Sequence, residues 1–222
     1  MIRAIVLVAA LAVPATASPK PEPPCTRCTL DLPKKADGLV PLVVVLHGDR
    51  QRATAVAEWW RDAVLERGWA LLSLQCPTDL ACVDSWWKWN GRSDWVTDQV
   101  AKVDGIDHAR MYLVGWSGGA TFIGEHATEW SAFAAVVIHG GGVAPDDPAC
   151  PQKLPAYFLV GDKNPLHAHV KVLRDYLDGC KQDITWDLVP GADHEHEERA
   201  LTGKKARTIL DWLSKHALAP AS

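Results

Sequence analysis

The feature that most limits the fold of this chain is an alternation. Six short apolar runs, at 42–46, 70–74, 111–115, 134–138, 156–160 and 184–189, are separated by stretches with helical patterning. Those stretches lie at 54–67, 94–102, 118–130, 166–177 and, at the end, 197–216. A strand that is apolar on both sides has no face to give to water. Helices between such strands supply two covering layers, and the crossovers make neighbouring strands parallel. The expected architecture is therefore α/β: an open, mostly parallel sheet with helices on both faces. A weaker run at 28–32 predicts one more strand at an edge. The 222 residues suffice for one full core, and no repeat or second domain is evident. The longest connection, 76–93, is too short for a large lid.

The run at 111–115 enters Gly115-Trp116-Ser117-Gly118-Gly119, a Gly-x-Ser-x-Gly pattern between an expected strand and an expected helix. In that setting the chain must reverse sharply, with the serine at the tip of the turn. Glycines two before and two after remove side chains that would collide there. The turn also sets Ser117 at a helix N-terminus, where free N–H groups can face a developing oxyanion. The pentapeptide alone is a weak signal, and its strand–turn–helix context is what strengthens it.

Ligands of an open α/β sheet bind outside the carboxyl ends of the strands. The residues expected there include His47-Gly48-Asp49, Trp116-Ser117, His139-Gly140-Gly141-Gly142, Gly161-Asp162-Lys163-Asn164 and Gly191-Ala192-Asp193-His194. A serine, several acids and several histidines thus converge on one end of the sheet, as nucleophilic catalysis requires.

The N-terminus has the make-up of a secretory signal peptide over 1–17: Arg3, an apolar stretch and Ala15-Thr16-Ala17. A Pro-rich linker over 18–27 and a single domain over 28–222 are expected after it. Ten apolar residues are too few to span a bilayer, so secreted or periplasmic protein is expected rather than membrane insertion. Six cysteines fit an oxidising compartment. Their spacing favours the pairs Cys76–Cys82, Cys150–Cys180 and Cys25–Cys28, although six cysteines allow about 15 pairings. A net charge of −4 leaves no basic footprint for nucleic acid. Oligomeric state is not legible.

Together these residues resemble the α/β-hydrolase fold, and within it the small secreted esterases related to polyhydroxybutyrate depolymerase and feruloyl esterase. The resemblance covers nearly all of the expected mature chain. It rests on Leu46-His47-Gly48, on Gly115 to Gly119, on Gly161 to Pro165 and on His194. It implies a serine esterase that needs no cofactor and acts on a small or polymer-borne carboxylic ester, with a short or aromatic acyl group. Ser117 would be the nucleophile and His194 the general base, with His196 as the rival base. Oxyanion donors would be the N–H groups of Gly118 and Asp49, the acidic side chain of Asp49 pointing away toward Arg50 or Arg52. The Gly140-Gly141-Gly142 run is expected to let the backbone pass close to the site.

The third member of the triad departs from the family pattern. Where an acid is expected, three residues after Gly161, this chain has Asn164. Asn164 orienting the imidazole through its side-chain carbonyl, or Asp162 in a re-registered turn, are the two alternatives; Asp193 is also near in sequence. An amide would not stabilise imidazolium as a carboxylate does.

Eleven tryptophans are unusual for this length, and Trp86, Trp87, Trp89 and Trp116 fall near the carboxyl end of the sheet. They are candidates for a substrate wall, the competing reading being a packed loop core beside Cys76 and Cys82. Two further readings stay open: a hydrolase fold that binds without turnover, and another serine hydrolase such as a peptidase or thioesterase. His167-x-His169 and Asp193-His194-x-His196 also have spacings that can ligate zinc, which makes a metal-dependent hydrolase the remaining rival.

Overall fold

Seven strands form one sheet in the computed structural model, which describes residues 21–219. The expected signal peptide and the first residues of the linker lie outside the described residues. The strands are β1 (Thr29–Asp31), β2 (Val40–Leu46), β3 (Ala70–Leu74), β4 (Ile106–Trp116), β5 (Ala135–His139), β6 (Ala156–Gly161) and β7 (Ile184–Val189). Their order across the sheet is β1-β3-β2-β4-β5-β6-β7. All neighbours are parallel except β1, which runs antiparallel to β3 at one edge. The order reverses direction around β2 and β4, the position at which open α/β sheets bind their ligands. His47 and Ser117 follow directly from them.

Six helices cover the sheet: α1 (Ala53–Glu66), α2 (Asp94–Val100), α3 (Gly118–Glu125), α4 (His167–Gly179), α5 (His194–Ala200) and α6 (Gly203–Leu213). The alternating directions of successive strand side chains divide the core in two. Val43, Val45 and Val114 pack with Val56 and Trp60 of α1 and with Ile209 and Leu210 of α6. Leu42, Val44 and Leu113 pack on the other side with Val96 of α2, Phe122 of α3 and Leu173 of α4. In β2 the residues from Leu42 to Leu46 are at most 1% exposed. Each such side chain contributes on the order of 2 kcal/mol of burial, which is why the continuous apolar run makes a central strand rather than an edge.

Several boundaries shift by a residue or two from the sequence-based expectation, and three larger departures have a structural cause. Strand β4 begins at Ile106 rather than 111, because residues 107–110 alternate in exposure and join the sheet through an irregularity opposite Val40 and Leu42. Helix α3 ends at Glu125 rather than 130. There Trp130 folds back, its indole N–H donating to the Ile123 carbonyl at 2.8 Å. The expected helix at 197–216 is two helices. Thr202 breaks it: its backbone is extended and its hydroxyl accepts from Lys205 N–H, capping α6.

The three cysteine pairs favoured by spacing are the ones brought together, with Cα separations of 5.4 Å (Cys25–Cys28), 5.6 Å (Cys76–Cys82) and 5.5 Å (Cys150–Cys180). The second closes the loop after β3. Among the described residues, no helix is long and apolar enough to cross a membrane.

Candidate active site

Strand β4 delivers Ser117 at the carboxyl end of the sheet, and α3 leaves at Gly118. The turn forces Ser117 to φ 51°, ψ −112°, a conformation that costs a residue with a Cβ about 1–3 kcal/mol and persists only where its surroundings impose it. The surroundings are backbone. Ser117 N–H donates to the His139 carbonyl at 2.8 Å, and Ser117 O accepts from Thr121 N–H at 2.9 Å. A Cβ on Gly115 would lie 2.4 Å from Ala120 N, and one on Gly119 would lie 2.5 Å from Leu46 O. Gly141 passes so close that a Cβ there would lie 2.3 Å from Ser117 O, in keeping with the close approach expected of this glycine run.

His194 is the first residue of α5. Asp193 caps that helix, its side chain accepting from His196 N–H at 2.9 Å. The imidazole Nε2 of His194 lies 3.0 Å from Ser117 Oγ. One face of the ring is stacked on Trp116, with centroids 4.7 Å apart and planes 8° from parallel. Trp116 is in turn wedged against His139 and over Gly48 and Gly140, neither of which has room for a Cβ. At 3% exposure Trp116 is therefore a backing plate for the histidine, and the expectation that it lines a substrate wall is corrected.

Behind the imidazole stand Asn164 and Glu197. Asn164 Nδ2 is 3.2 Å from His194 Nδ1, 3.1 Å from the Gly140 carbonyl, and bonded to Glu197 Oε2. Asn164 Oδ1 accepts from Leu166 N–H at 2.8 Å, so the expected use of that carbonyl to orient the imidazole is not what the structure shows. Glu197 is fully buried, accepts from Gly161 N–H, and places Oε2 3.5 Å from His194 Nδ1. Asp162 is exposed and turned elsewhere, its Oδ1 accepting from Gly191 N–H at 2.6 Å, because the turn after β6 keeps its expected register. It does not reach His194. His196 is also turned away, with Nδ1 2.7 Å from Asp193 Oδ1. Glu197 was missed in the sequence because it sits among Glu195 and Glu198 in a charged run that reads as a solvated helix face. Its one sequence signal is the spacing His194-x-x-Glu197, which sets both residues on one side of a helix.

The turn after β2 faces Gly118. His47 is buried, and Cys76 N–H donates to its Nε2 at 3.1 Å. Burial lowers its pKa, which keeps the ring neutral, so the proton sits on Nδ1, 2.7 Å from the Gly48 carbonyl. These bonds pin the turn to the end of β3. The Asp49 carboxylate does not point toward Arg50 or Arg52. Its Oδ1 accepts from Ser85 Oγ at 2.7 Å and lies against Gly118, where it would be 2.1 Å from a Cβ. Arg50 N–H donates to the Asp84 carbonyl at 2.6 Å, so the loop after β3 is tied to this turn twice.

That loop divides the remaining tryptophans. Trp86 is 0% and Trp89 6% exposed, and both pack on Phe122 and Trp95. They form a loop core beside the Cys76–Cys82 pair, which corrects their assignment to a substrate wall. Trp87 alone remains on the surface, at 48%. A cavity of about 650 Å³ lined by Arg92, Ser93, Asp94, His126 and Glu129 shares none of these site residues. Its Glu129 is already bonded to Ser93 and His126. For the zinc reading, His167 Nδ1 is 2.8 Å from the Gly161 carbonyl while His194 faces Ser117. Among the described residues no three His, Cys, Asp or Glu side chains are grouped to hold a metal.

No protein-family profile and no curated protein sequence matches the chain. Solved structures do. A thermostable esterase superposes with TM-score 0.67 over 86% of this chain at 20% identity, this chain spanning 59% of its length. Est1E from Butyrivibrio proteoclasticus gives 0.64 over 85% of this chain and 94% of its own at 15% identity; it has also been solved with ferulic acid bound. The Bacillus cereus carboxylesterase gives 0.64 over 85% and 93%, at 15% identity. With the strand order, the helices on both faces and the sharp turn after β4, these likenesses identify the fold as that of the α/β-hydrolases.

Proposed function

We propose that this chain is a secreted serine esterase in which Ser117 attacks a carboxylic ester and His194 acts as general base. The observation that carries the reading is the juxtaposition of a strained Ser117 at a helix N-terminus with His194 Nε2 at 3.0 Å from its Oγ. A free serine hydroxyl is a poor nucleophile, and a base at this distance is what activates it. The Oγ–H proton passes to Nε2 as Oγ bonds to the ester carbon. The carbonyl oxygen then carries negative charge, for which the N–H groups of Gly118 and Asp49 are the proposed donors. The imidazolium returns its proton to the departing alcohol, leaving an acyl-enzyme on Ser117. Water, deprotonated by the same histidine, completes hydrolysis.

The acyl side is proposed to be short or aromatic. Trp87, exposed two residues beyond Ser85, offers an aromatic face on a loop bonded to the Asp49 turn. One structural neighbour binds ferulic acid, which is in keeping with that choice. A second reading, a hydrolase fold with little turnover, is favoured by the Asp49 carboxylate, whose charge opposes an anion beside Gly118.

The test is a panel of esters from short aliphatic to feruloyl, with peptide and thioester substrates alongside, run on wild type and Ser117→Ala. Labelling with a serine-directed fluorophosphonate accompanies it. We expect ester turnover and labelling in the wild type, and a loss of about 10⁴-fold or more in Ser117→Ala. Full turnover by Ser117→Ala would remove the mechanism. Folded wild type that neither labels nor turns over supports the binding reading.

A further inference from the structure

We infer that the carboxylate serving His194 has moved out of its usual loop: Glu197, one turn along α5, supplies the charge, and Asn164 is the amide that holds it in place. This rests on reading Ser117 and His194 as nucleophile and base. To accept the Ser117 proton, Nε2 must be bare, so the neutral ring carries its hydrogen on Nδ1. That N–H needs an acceptor. Asn164 Nδ2, 3.2 Å from Nδ1, is a donor. The amide is not free to turn over. Its oxygen is fixed by Leu166 N–H, and its two hydrogens go to the Gly140 carbonyl and to Glu197 Oε2. The acceptor that remains is Glu197 Oε2, 3.5 Å from Nδ1. Such catalytic hydrogen bonds are often long before substrate arrives and tighten as the reaction proceeds.

The surroundings of Glu197 suit this role. Its Oε1 accepts from Gly161 N–H, and its backbone carbonyl accepts from His139 Nε2 at 2.9 Å. The carboxylate is completely buried, and the donors on it, a backbone N–H and an amide, are uncharged. A buried anion so placed lacks a positive partner until the proton reaches His194. Imidazolium formation supplies that partner, so the attraction is stronger in the transition state than in the resting enzyme. The proton stays on the imidazole and is not passed on to Glu197. Neither neighbouring acid competes, since Asp162 is bonded to Gly191 and Asp193 caps α5. Asn164, at the position where an acid was expected, becomes the spacer that carries the displaced carboxylate.

Glu197 acts through His194 and is a positioning residue, so its test separates charge from packing. Steady-state kinetics on one short nitrophenyl ester would be run for wild type, Glu197→Gln and the double variant Asn164→Asp/Glu197→Gln. The double variant reverses the polarity of the 164–197 hydrogen bond and puts the charge back one residue nearer the imidazole. We expect Glu197→Gln to lower kcat by about 10²- to 10⁴-fold, with KM changed less than about threefold. The double variant should regain at least about tenfold in kcat despite the lost donor to Gly140. If Glu197→Gln keeps wild-type kcat, or the folded double variant is no better than it, the inference is wrong. Should Glu197→Gln fail to fold, nitrogen NMR of His194 in the wild type decides: a proton on Nδ1 supports it, and a bare Nδ1 accepting from Asn164 overturns it. Fluorophosphonate labelling of the wild type keeps the two readings apart. Absence of labelling at Ser117 sinks the nucleophile and Glu197 together, whereas labelling with an unaffected Glu197→Gln sinks Glu197 alone.

Discussion

Ser117 is positioned largely by backbone, whereas His194 is positioned by side chains, two of the three from elsewhere in the sequence. Around the serine, Gly115, Gly118 and Gly119 clear the space, and backbone hydrogen bonds to His139 and Thr121 hold the turn. Around the histidine, the Trp116 ring comes from the end of β4, the Asn164 amide from the turn after β6 and the Glu197 carboxylate from α5 itself. The first arrangement depends on what is missing, namely Cβ atoms. The second depends on which polar atom meets which. A missing Cβ is visible in the sequence as glycine, but a hydrogen-bond partner is visible only after folding.

The serine side is accordingly the more brittle, and the largest stability effect belongs there. A Cβ at position 119 would lie 2.5 Å from Leu46 O and 2.8 Å from His47 O, both backbone atoms at the end of β2. Neither can move without shifting the Asp49 turn. Gly119→Ala is expected to destabilise the fold by about 4 kcal/mol, above the usual range for overpacking because no side chain can yield. Urea unfolding measures it. A loss under about 1 kcal/mol would mean that the turn is softer than its contacts indicate.

The histidine side should respond to acid. His139 carries Glu197 on its Nε2 and packs against Trp116 at 4.4 Å. Its complete burial pushes its pKa down to about 4. The folded protein therefore keeps this ring neutral while the unfolded chain, with an ordinary value near 6.5, takes up a proton. Below about pH 6.5 the unfolded state binds more protons, so stability falls as pH falls. The decline continues to about pH 4, where the folded form protonates as well, and amounts to ~3 kcal/mol. Burial lowers the His47 pKa in the same direction. Urea unfolding from pH 7.5 to 4, on wild type and His139→Gln, isolates the contribution. The wild type should lose more stability across the window by about that amount, and parallel curves would rule out His139 as its source.

The same contrast explains what could be read in advance. The sheet and its helices follow from periodicity, which neighbouring residues encode. Thr202 was absorbed into one long helical pattern because a cap and an ordinary helical residue look alike until the chain turns there. Joining α5 to α6 also concealed Glu197. At the site, Ser117, His194, Gly118 and Asp49 were legible as residues that follow strands. Trp116, Trp86 and Trp89 were legible as aromatics near the site but not as buried ones, since an indole serves a substrate wall or a core equally well. Apart from the His194-x-x-Glu197 spacing, nothing local told Asp162 from Glu197: one acid lies in the expected loop and the other in a charged run. Their difference lies in Gly161 N–H and the Asn164 amide, which both bond the Glu197 carboxylate and leave Asp162 in solvent.

That pair yields the smallest expected effect and the sharpest comparison. Asp162→Asn keeps the oxygen that accepts from Gly191 N–H, and Gly191 retains the left-handed φ of 74° that shapes the turn. Only a charge is removed. It is exposed, and no salt bridge partners it among the described residues. Water and salt screen its field at the imidazole. Stability should change by less than about 0.5 kcal/mol, and kcat/KM for the short ester should stay within about twofold of wild type. Glu197→Gln changes the same atoms in the same way, a carboxylate oxygen to an amide nitrogen, but does so in a buried site 3.5 Å from the ring. Equal losses in the two variants would show that charge anywhere behind His194 suffices. A large loss in Asp162→Asn alone would return the acid to the loop where the sequence first placed it, and would leave the buried carboxylate on α5 as packing.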